Sequence, residues 1–223
     1  MVEPVIGLIF HGIGRPGREL EPGEARYWIS EARFDDILDR IAASAGRARI
    51  RISFDDGNLS DVEIALPALL ARGLSADFFV LSDRIDQPGS LTGDHLRTLL
   101  AAGMRVGSHG TAHRDWRRLD AAELARELAG SRQHLQGLCG QAITAAGIPF
   151  GAYDGSVLRA IKAAGYLCAY SSDRGRMRED MFLRPRTSLR EDMAAAEIAA
   201  VLAGRMSPLA RLRRAVGMAR RRF

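Results

Sequence analysis

Two short stretches of this sequence carry residues with chemistry to offer. Ser53-Phe54-Asp55-Asp56-Gly57 closes one apolar run, and Ser108-His109-Gly110-Thr111-Ala112-His113 follows another. Adjacent carboxylates raise each other's pKa unless something binds them, so Asp55 and Asp56 suit a core poorly. Side chains alternate along a strand, which sends the two acids different ways: one can hold a metal while the other faces a substrate. Asp-Asp-Gly-Asn is equally good turn chemistry, and the pair alone does not separate the two readings. His109 and His113 meet on one face if their segment is helical, and their imidazoles can then share a cation; the plain alternative is two partly exposed loop histidines. Zinc accepts imidazole nitrogen and carboxylate oxygen and keeps a position for water in catalytic sites. Together the two stretches supply two histidines, one aspartate and a spare aspartate, a stronger signal than either alone.

The surrounding pattern supplies elements to position them. Residues 5–10 are continuously apolar and read as a buried strand. Ile50, Ile52 and Phe54 alternate with polar residues, and further strands are expected at 76–81, 104–107, 142–146, 167–171 and 183–186. Helical spacing appears between them. Phe34, Ile37, Leu38 and Ile41 follow Ser30 as N-cap, and the pattern at 62–70 has Pro67 at its first turn or a kink. Leu96, Leu99 and Leu100 are stopped by Gly103, and Asp120 with Glu123 forms a capping box that opens a long helix. Two more helices are expected at 156–164 and 192–203. This alternation implies parallel βαβ units, with closure into a barrel favoured over an open sheet. In either case both acidic and histidine motifs sit where strands end, two strands apart.

Composition bounds the rest. The 223 residues are 47% apolar and 26% charged, ordinary values for a folded domain. Two cysteines, Cys139 and Cys168, exclude a disulfide scaffold and a Cys-rich zinc module. The net charge of +5 is local: seven arginines and no acid occupy 205–223, leaving 25 basic against 27 acidic residues elsewhere. A nucleic-acid surface on the body is therefore not expected. One domain over 1–204 and a basic tail over 205–223 is the expected organisation. Leu209, Leu212, Val216, Ala219 and Phe223 give the tail the pattern of a basic amphipathic helix, suited to an anionic membrane surface or else a frayed terminus. With no long apolar run and no signal-like start, a cytoplasmic protein, peripheral to the inner membrane face through the tail, is the expectation. Gly12 to Gly17 lacks the pattern of a P-loop or a dinucleotide fingerprint and reads as a flexible rim loop.

In order and type, the two motifs resemble those of the polysaccharide deacetylase family, which includes the chitooligosaccharide deacetylases. Its usual T-F-D-D-G stands here as Ser53–Gly57, its H-x-x-x-H as His109 to His113, and the resemblance runs from about residue 5 to 189. The resemblance implies an α/β fold, a distorted (β/α)7 barrel. It implies Asp55 as general base and Asp56, His109 and His113 as ligands of one divalent ion, zinc by preference. The expected substrate is an N-acetylated glycan or a lipid-linked saccharide. Gly147-Ile148-Pro149-Phe150-Gly151 stands where the family has R-x-P-x-G, so Phe150 would offer an oxyanion N–H while the arginine is replaced by glycine. The Pro-Phe-Gly-Ala-Tyr-Asp run through Asp154, which includes Tyr153, looks like the exopolysaccharide branch. Tyr170-Ser171-Ser172-Asp173 resembles a fourth motif whose aspartate normally pairs with the missing arginine; Arg184 or Arg186 is the expected substitute, and Tyr153, Asp173 and Arg186 are expected on the substrate side. The family's late histidine has no counterpart after His134, which leaves His11, at the end of the first strand, as the candidate acid. These departures also motivate a rival reading, a metal-containing carbohydrate-binding protein without turnover. Removal of a different N-acyl group would use the same residues.

Overall fold

The computed structural model describes residues 3–222. Six strands lie side by side and parallel in chain order: β1 (Val5–Phe10), β2 (Ile50–Asp56), β3 (Ala76–Val80), β4 (Arg105–Ser108), β5 (Ala145–Gly147) and β6 (Cys168–Ser171). β7 (Arg176–Met177) runs antiparallel against the start of β1. β8 (Leu183–Pro185) pairs with β6, and β9 (Thr187–Ser188) pairs with β1. Only Arg186 separates β8 from β9, so a single extended segment leaves β6 and joins β1. The result is an α/β fold with a nearly closed, barrel-like sheet, the architecture expected from the alternation. β7 and β9 are two residues long, too short to leave a periodic signal.

The helices cover the outside: α1 (Glu31–Ala43), α2 (Leu66–Ala71), α3 (Gly93–Ala101), α4 (Ala121–Cys139), α5 (Gly155–Ala163), α6 (Ala195–Leu202) and α7 (Pro208–Arg222). Ser30 caps α1 through Arg33 N, and Asp120 with Glu123 closes the capping box of α4. Pro67 follows closely on a π-helical turn over Asp61–Ala65, a widened turn inside the helix that takes up a residue without an N–H. Among the described residues no helix is long and apolar enough to cross a membrane.

The main core lies between helices and sheet, where Phe10, Phe54 and Phe78 stack across β1, β2 and β3 with centroids 5.4 and 4.8 Å apart. The opposite face of β2 corrects a simple expectation. Alternation there normally means solvent on the polar side, yet Ser53 and Asp55 are buried because that side lines the barrel interior. Two glycines keep the interior open. A Cβ at Gly7 would stand 2.9 Å from Arg186 Cγ, and one at Gly147 would stand 3.0 Å from both His109 Nδ1 and Phe79 Cγ.

Candidate active site

At the C-terminal end of the sheet a cleft of about 180 Å³ is lined by His11, Asp55, Asp56, His109, His113 and Phe150, among others. Asp55 and Asp56 both reach it although they are neighbours on β2. Asp56 adopts φ 80°, a left-handed conformation that costs a non-glycine residue about 1–3 kcal/mol and interrupts strand alternation. His113 (φ 51°) and Phe150 (φ 58°) are held the same way. The histidine segment is not helical, so the i, i+4 face is not what joins the pair. A turn after β4, with left-handed backbone at Gly110 and His113, sets the two rings 5.4 Å apart instead.

Asp56 Oδ1 lies 3.5 Å from His109 Nε2 and 3.6 Å from His113 Nε2, and it is buried without a hydrogen-bond partner. These separations are long for hydrogen bonds. They match the edge of a coordination tetrahedron with bonds of about 2.1 Å, roughly 3.4 Å between ligand atoms. The three side chains can each present one ligand atom within 4.8 Å of the others, the only such group of three or more His, Cys, Asp or Glu among the described residues. Both rings are oriented from behind: His109 Nδ1 faces Gly147 O at 3.0 Å, and His113 Nδ1 faces Glu21 Oε2 at 2.9 Å. Burial lowers the His109 pKa to about 4, so its imidazole is neutral at neutral pH, as a ligand requires. Burial pushes Asp56 up, but His11, His109, His113 and Arg84 outweigh it and hold the carboxyl below its ordinary value.

Asp55 is gripped by Arg186 through two parallel bonds, Nη1 to Oδ1 at 2.7 Å and Nη2 to Oδ2 at 2.9 Å. Arg186 also donates to Ser53 Oγ at 2.8 Å and packs over the Phe79 ring at 4.7 Å. Burial raises the Asp55 pKa, yet the Arg186 guanidinium, assisted by His109, brings it below the usual range. His11 lines the same cleft with its ring 4.9 Å from Tyr27 and its Nδ1 unpartnered. At Phe150 the turn is closed by Gly151 N–H and Ala152 N–H, bonding to Ile148 and Pro149 carbonyls; the Phe150 N–H is not spent on either bond.

The substrate-side expectations need correction. Arg186 is only 2% exposed and, although it borders the cleft, its guanidinium is committed to Asp55, so it holds an acid. Tyr153 is fully buried, its hydroxyl donating to Asp173 Oδ2 at 2.8 Å. Asp173 also accepts from Ser171 Oγ, and it borders the neighbouring cavity but not the catalytic cleft. Neither Arg184 nor Arg186 supplies its cation. Arg184 reaches the Tyr170 hydroxyl at 3.0 Å, while Arg221 of α7 pairs with the Asp173 carboxylate and Arg214 with its carbonyl. The tail thus packs on the body; Phe223, part of its apolar pattern, lies outside the described residues.

Other residues escaped sequence reading. Glu21, which orients His113 and pairs with Arg84, lies on the irregular connection between β1 and α1, which carries no periodic signal. The rim loop at its start is anchored: Gly14 N and Ile29 N bond across to Ile29 O and Gly12 O, and Arg18 reaches Asn58 and Glu24. Asp61 is fully buried with neither oxygen hydrogen-bonded, and burial together with the Asp56 and Asp55 charges raises its pKa well above normal. His95 accepts from Thr92 N in the capping box of α3.

The family model for polysaccharide deacetylase matches residues 42–169, more than half of the chain, and the chain belongs to the polysaccharide deacetylase family. A Bacillus subtilis (strain 168) protein named for this family, YxkH, is 25% identical over 131 residues, 59% of this chain; the chain spans about half, 47%, of that relative's length. Among solved structures, the Streptococcus pyogenes deacetylase PplD, in complex with acetate, superposes with a TM-score of 0.76 at 17% identity, covering 91% of this chain and 99% of that one. BC0361, a polysaccharide deacetylase from Bacillus cereus, gives 0.76 at 20% identity over 90% and 69%. IcaB from Ammonifex degensii gives 0.71 at 18% over 90% and 96%. At these identities the likeness concerns the fold. The family is one of hydrolytic deacetylases and implies an acetylated glycan as its kind of substrate.

Proposed function

We propose that this chain is a metal-dependent hydrolase that removes N-acetyl, or another small N-acyl, groups from an amino-sugar-containing glycan or a lipid-linked glycan intermediate. The observation that carries the reading is the meeting in one cleft of an arginine-held carboxylate, Asp55, with the Asp56, His109 and His113 cluster. Asp56, His109 and His113 would hold one divalent ion, and their nitrogen and oxygen donors suit zinc. When bound, that ion supplies Lewis acidity, polarising a carbonyl and acidifying a water. Asp55, ionised beside Arg186, takes the proton of the attacking water. The Phe150 N–H donates to the oxygen that gains charge, a type of contact whose loss costs about 2.7–4 kcal/mol. The C–N bond then breaks, acetate leaves, and the departing amine takes a proton from His11, the cleft group proposed for that task. Of the two absences that favour a binding-only protein, the cation at Asp173 is supplied by Arg221, and the late histidine is left to His11.

Residues 1–204 are proposed as the catalytic unit and 205–223 as an appended segment. A cytoplasmic place, with α7 touching the inner membrane face and no nucleic-acid partner, completes the reading. It is supported by Leu209, Leu212 and Val216, exposed by 56%, 62% and 42% among arginines. The test is metal analysis joined to acetate release from N-acetylglucosamine oligomers. Wild type should retain about one ion per chain, His109→Ala should lose both ion and activity, and Asp55→Asn should keep the ion and lose activity. Turnover by Asp55→Asn at the wild-type rate would remove the mechanism. A His11→Gln rate equal to wild type would end the acid role of His11.

A further inference from the structure

α7 does more than terminate the chain. Through Arg214 and Arg221 it is fastened to Asp173, with the Arg221 guanidinium 5.5 Å over the Tyr153 ring. Between α7, α6 and the Ser172–Gly175 loop it leaves a cavity of about 600 Å³, far larger than the catalytic cleft. The two spaces adjoin: Phe150, Gly151 and Ser172 line both. Five arginines line the larger one: Arg174, Arg205, Arg213, Arg214 and Arg221. They face two acids, Glu197 and Asp173, and the Asp173 carboxylate is already occupied by Arg221, Tyr153 and Ser171. Among the described residues Arg174, Arg205 and Arg213 have no ion pair and no side-chain hydrogen bond. One arginine of the body, Arg174, and two of the basic tail, Arg205 and Arg213, thus line one cavity beside the cleft without an acidic partner.

We propose that this cavity is a subsite for a diphosphate carried by the substrate itself, so that the N-acyl sugar occupies the cleft while its diphosphate lies on Arg174, Arg205 and Arg213. The proposal rests on the deacylase reading and narrows its substrate to a sugar diphosphate ester. Three free planar guanidiniums match an anion with several oxygens and about two charges better than a single sugar carboxylate, since each can engage two oxygens. Adjacency fits as well: a phosphate on the anomeric oxygen is next to the ring that bears the acylamino group, as the cavity is next to the cleft.

Two measurements test this. The first is binding of inorganic pyrophosphate to the full chain freed of metal, by calorimetry, for wild type and Arg174→Gln/Arg205→Gln/Arg213→Gln. Affinity should fall at least about tenfold in the triple variant and should weaken steeply with salt. No binding at millimolar pyrophosphate, or equal affinity in the two proteins, overturns the subsite. The second compares kcat/KM for acetate release from a nucleotide diphosphate N-acetyl sugar, a polyprenyl-diphosphate N-acetyl sugar in detergent, and a neutral N-acetyl oligosaccharide. The ratio of the diphosphate-bearing to the neutral substrate should exceed one in wild type and fall about tenfold in the triple variant; the better of the two diphosphate arms names the source. A ratio that the substitutions do not move refutes the proposal. If no arm releases acetate while pyrophosphate still binds in an arginine-dependent way, the deacylase reading fails and the anion site stands.

Discussion

Replacing Arg186 by methionine isolates the interaction on which the cleft depends. Arg186 and Asp55 are 2% and 3% exposed, joined by bonds of 2.7 and 2.9 Å. Methionine keeps much of the volume over Phe79 but strands a carboxylate in the barrel interior, and breaking a buried pair from one side costs about 3–5 kcal/mol. The pH dependence follows from the direction of the shift. In wild type Asp55 titrates below its unfolded value, so its contribution is complete above about pH 4 and is lost only as pH falls through the folded pKa. In the variant the two Arg186 contributions are gone, burial outweighs what His109 and His11 still supply, and the folded pKa is expected to rise above the unfolded one. The native state then takes up a proton as pH falls from 7, and the deficit shrinks by up to about 1.4 kcal/mol per pH unit below the new pKa. Urea unfolding of both metal-free proteins at pH 7, 6 and 5 reads this directly. A deficit under about 1 kcal/mol at pH 7, or one that grows on acidification, would refute the reasoning.

Gly147→Ala should destabilise by about 1–3 kcal/mol, seen as a lower Tm, because its methyl would press on His109 Nδ1 and Phe79 at 3.0 Å. For the same reason Gly147→Arg should not recreate the family's usual arginine but should displace the His109 ring and cut metal retention. Glu21→Gln removes the charged partner of His113 Nδ1, and metal affinity measured against a competing chelator should drop about 10- to 100-fold; an unchanged affinity counts against the role given to Glu21. Leu209→Glu/Leu212→Glu should abolish co-sedimentation with anionic vesicles while leaving Tm within about a degree, since both side chains are exposed.

What the sequence made legible was whatever its local chemistry determines. The βαβ alternation, the caps at Ser30 and Asp120 and the break at Pro67 are set by residues a few positions apart, and they fall where expected. The neighbouring acids and paired histidines could be read as one site because a parallel sheet brings strand ends together. How they converge was not legible: the left-handed steps at Asp56 and His113 replace the alternation and the helical face that spacing alone suggests. Partners distant in the chain were hidden for a related reason. Arg186 is 131 residues from Asp55, Arg221 is 48 from Asp173, and Glu21 is 92 from His113. Nothing in a one-dimensional pattern announces such pairs, so the arginine at 186 was assigned to the wrong aspartate.

The segment that joins β6 to β1 has a consequence for the order of events when the protein is made. A chain growing from its N-terminus presents Asp56, His109 and His113 early, and can gather an ion before the ring is shut. Its counter-charge for Asp55 arrives only with residue 186, at the point where the last stave changes neighbours. Until then that carboxylate has no guanidinium to fix its orientation. The arginine therefore seats Asp55 only in molecules whose wall is complete.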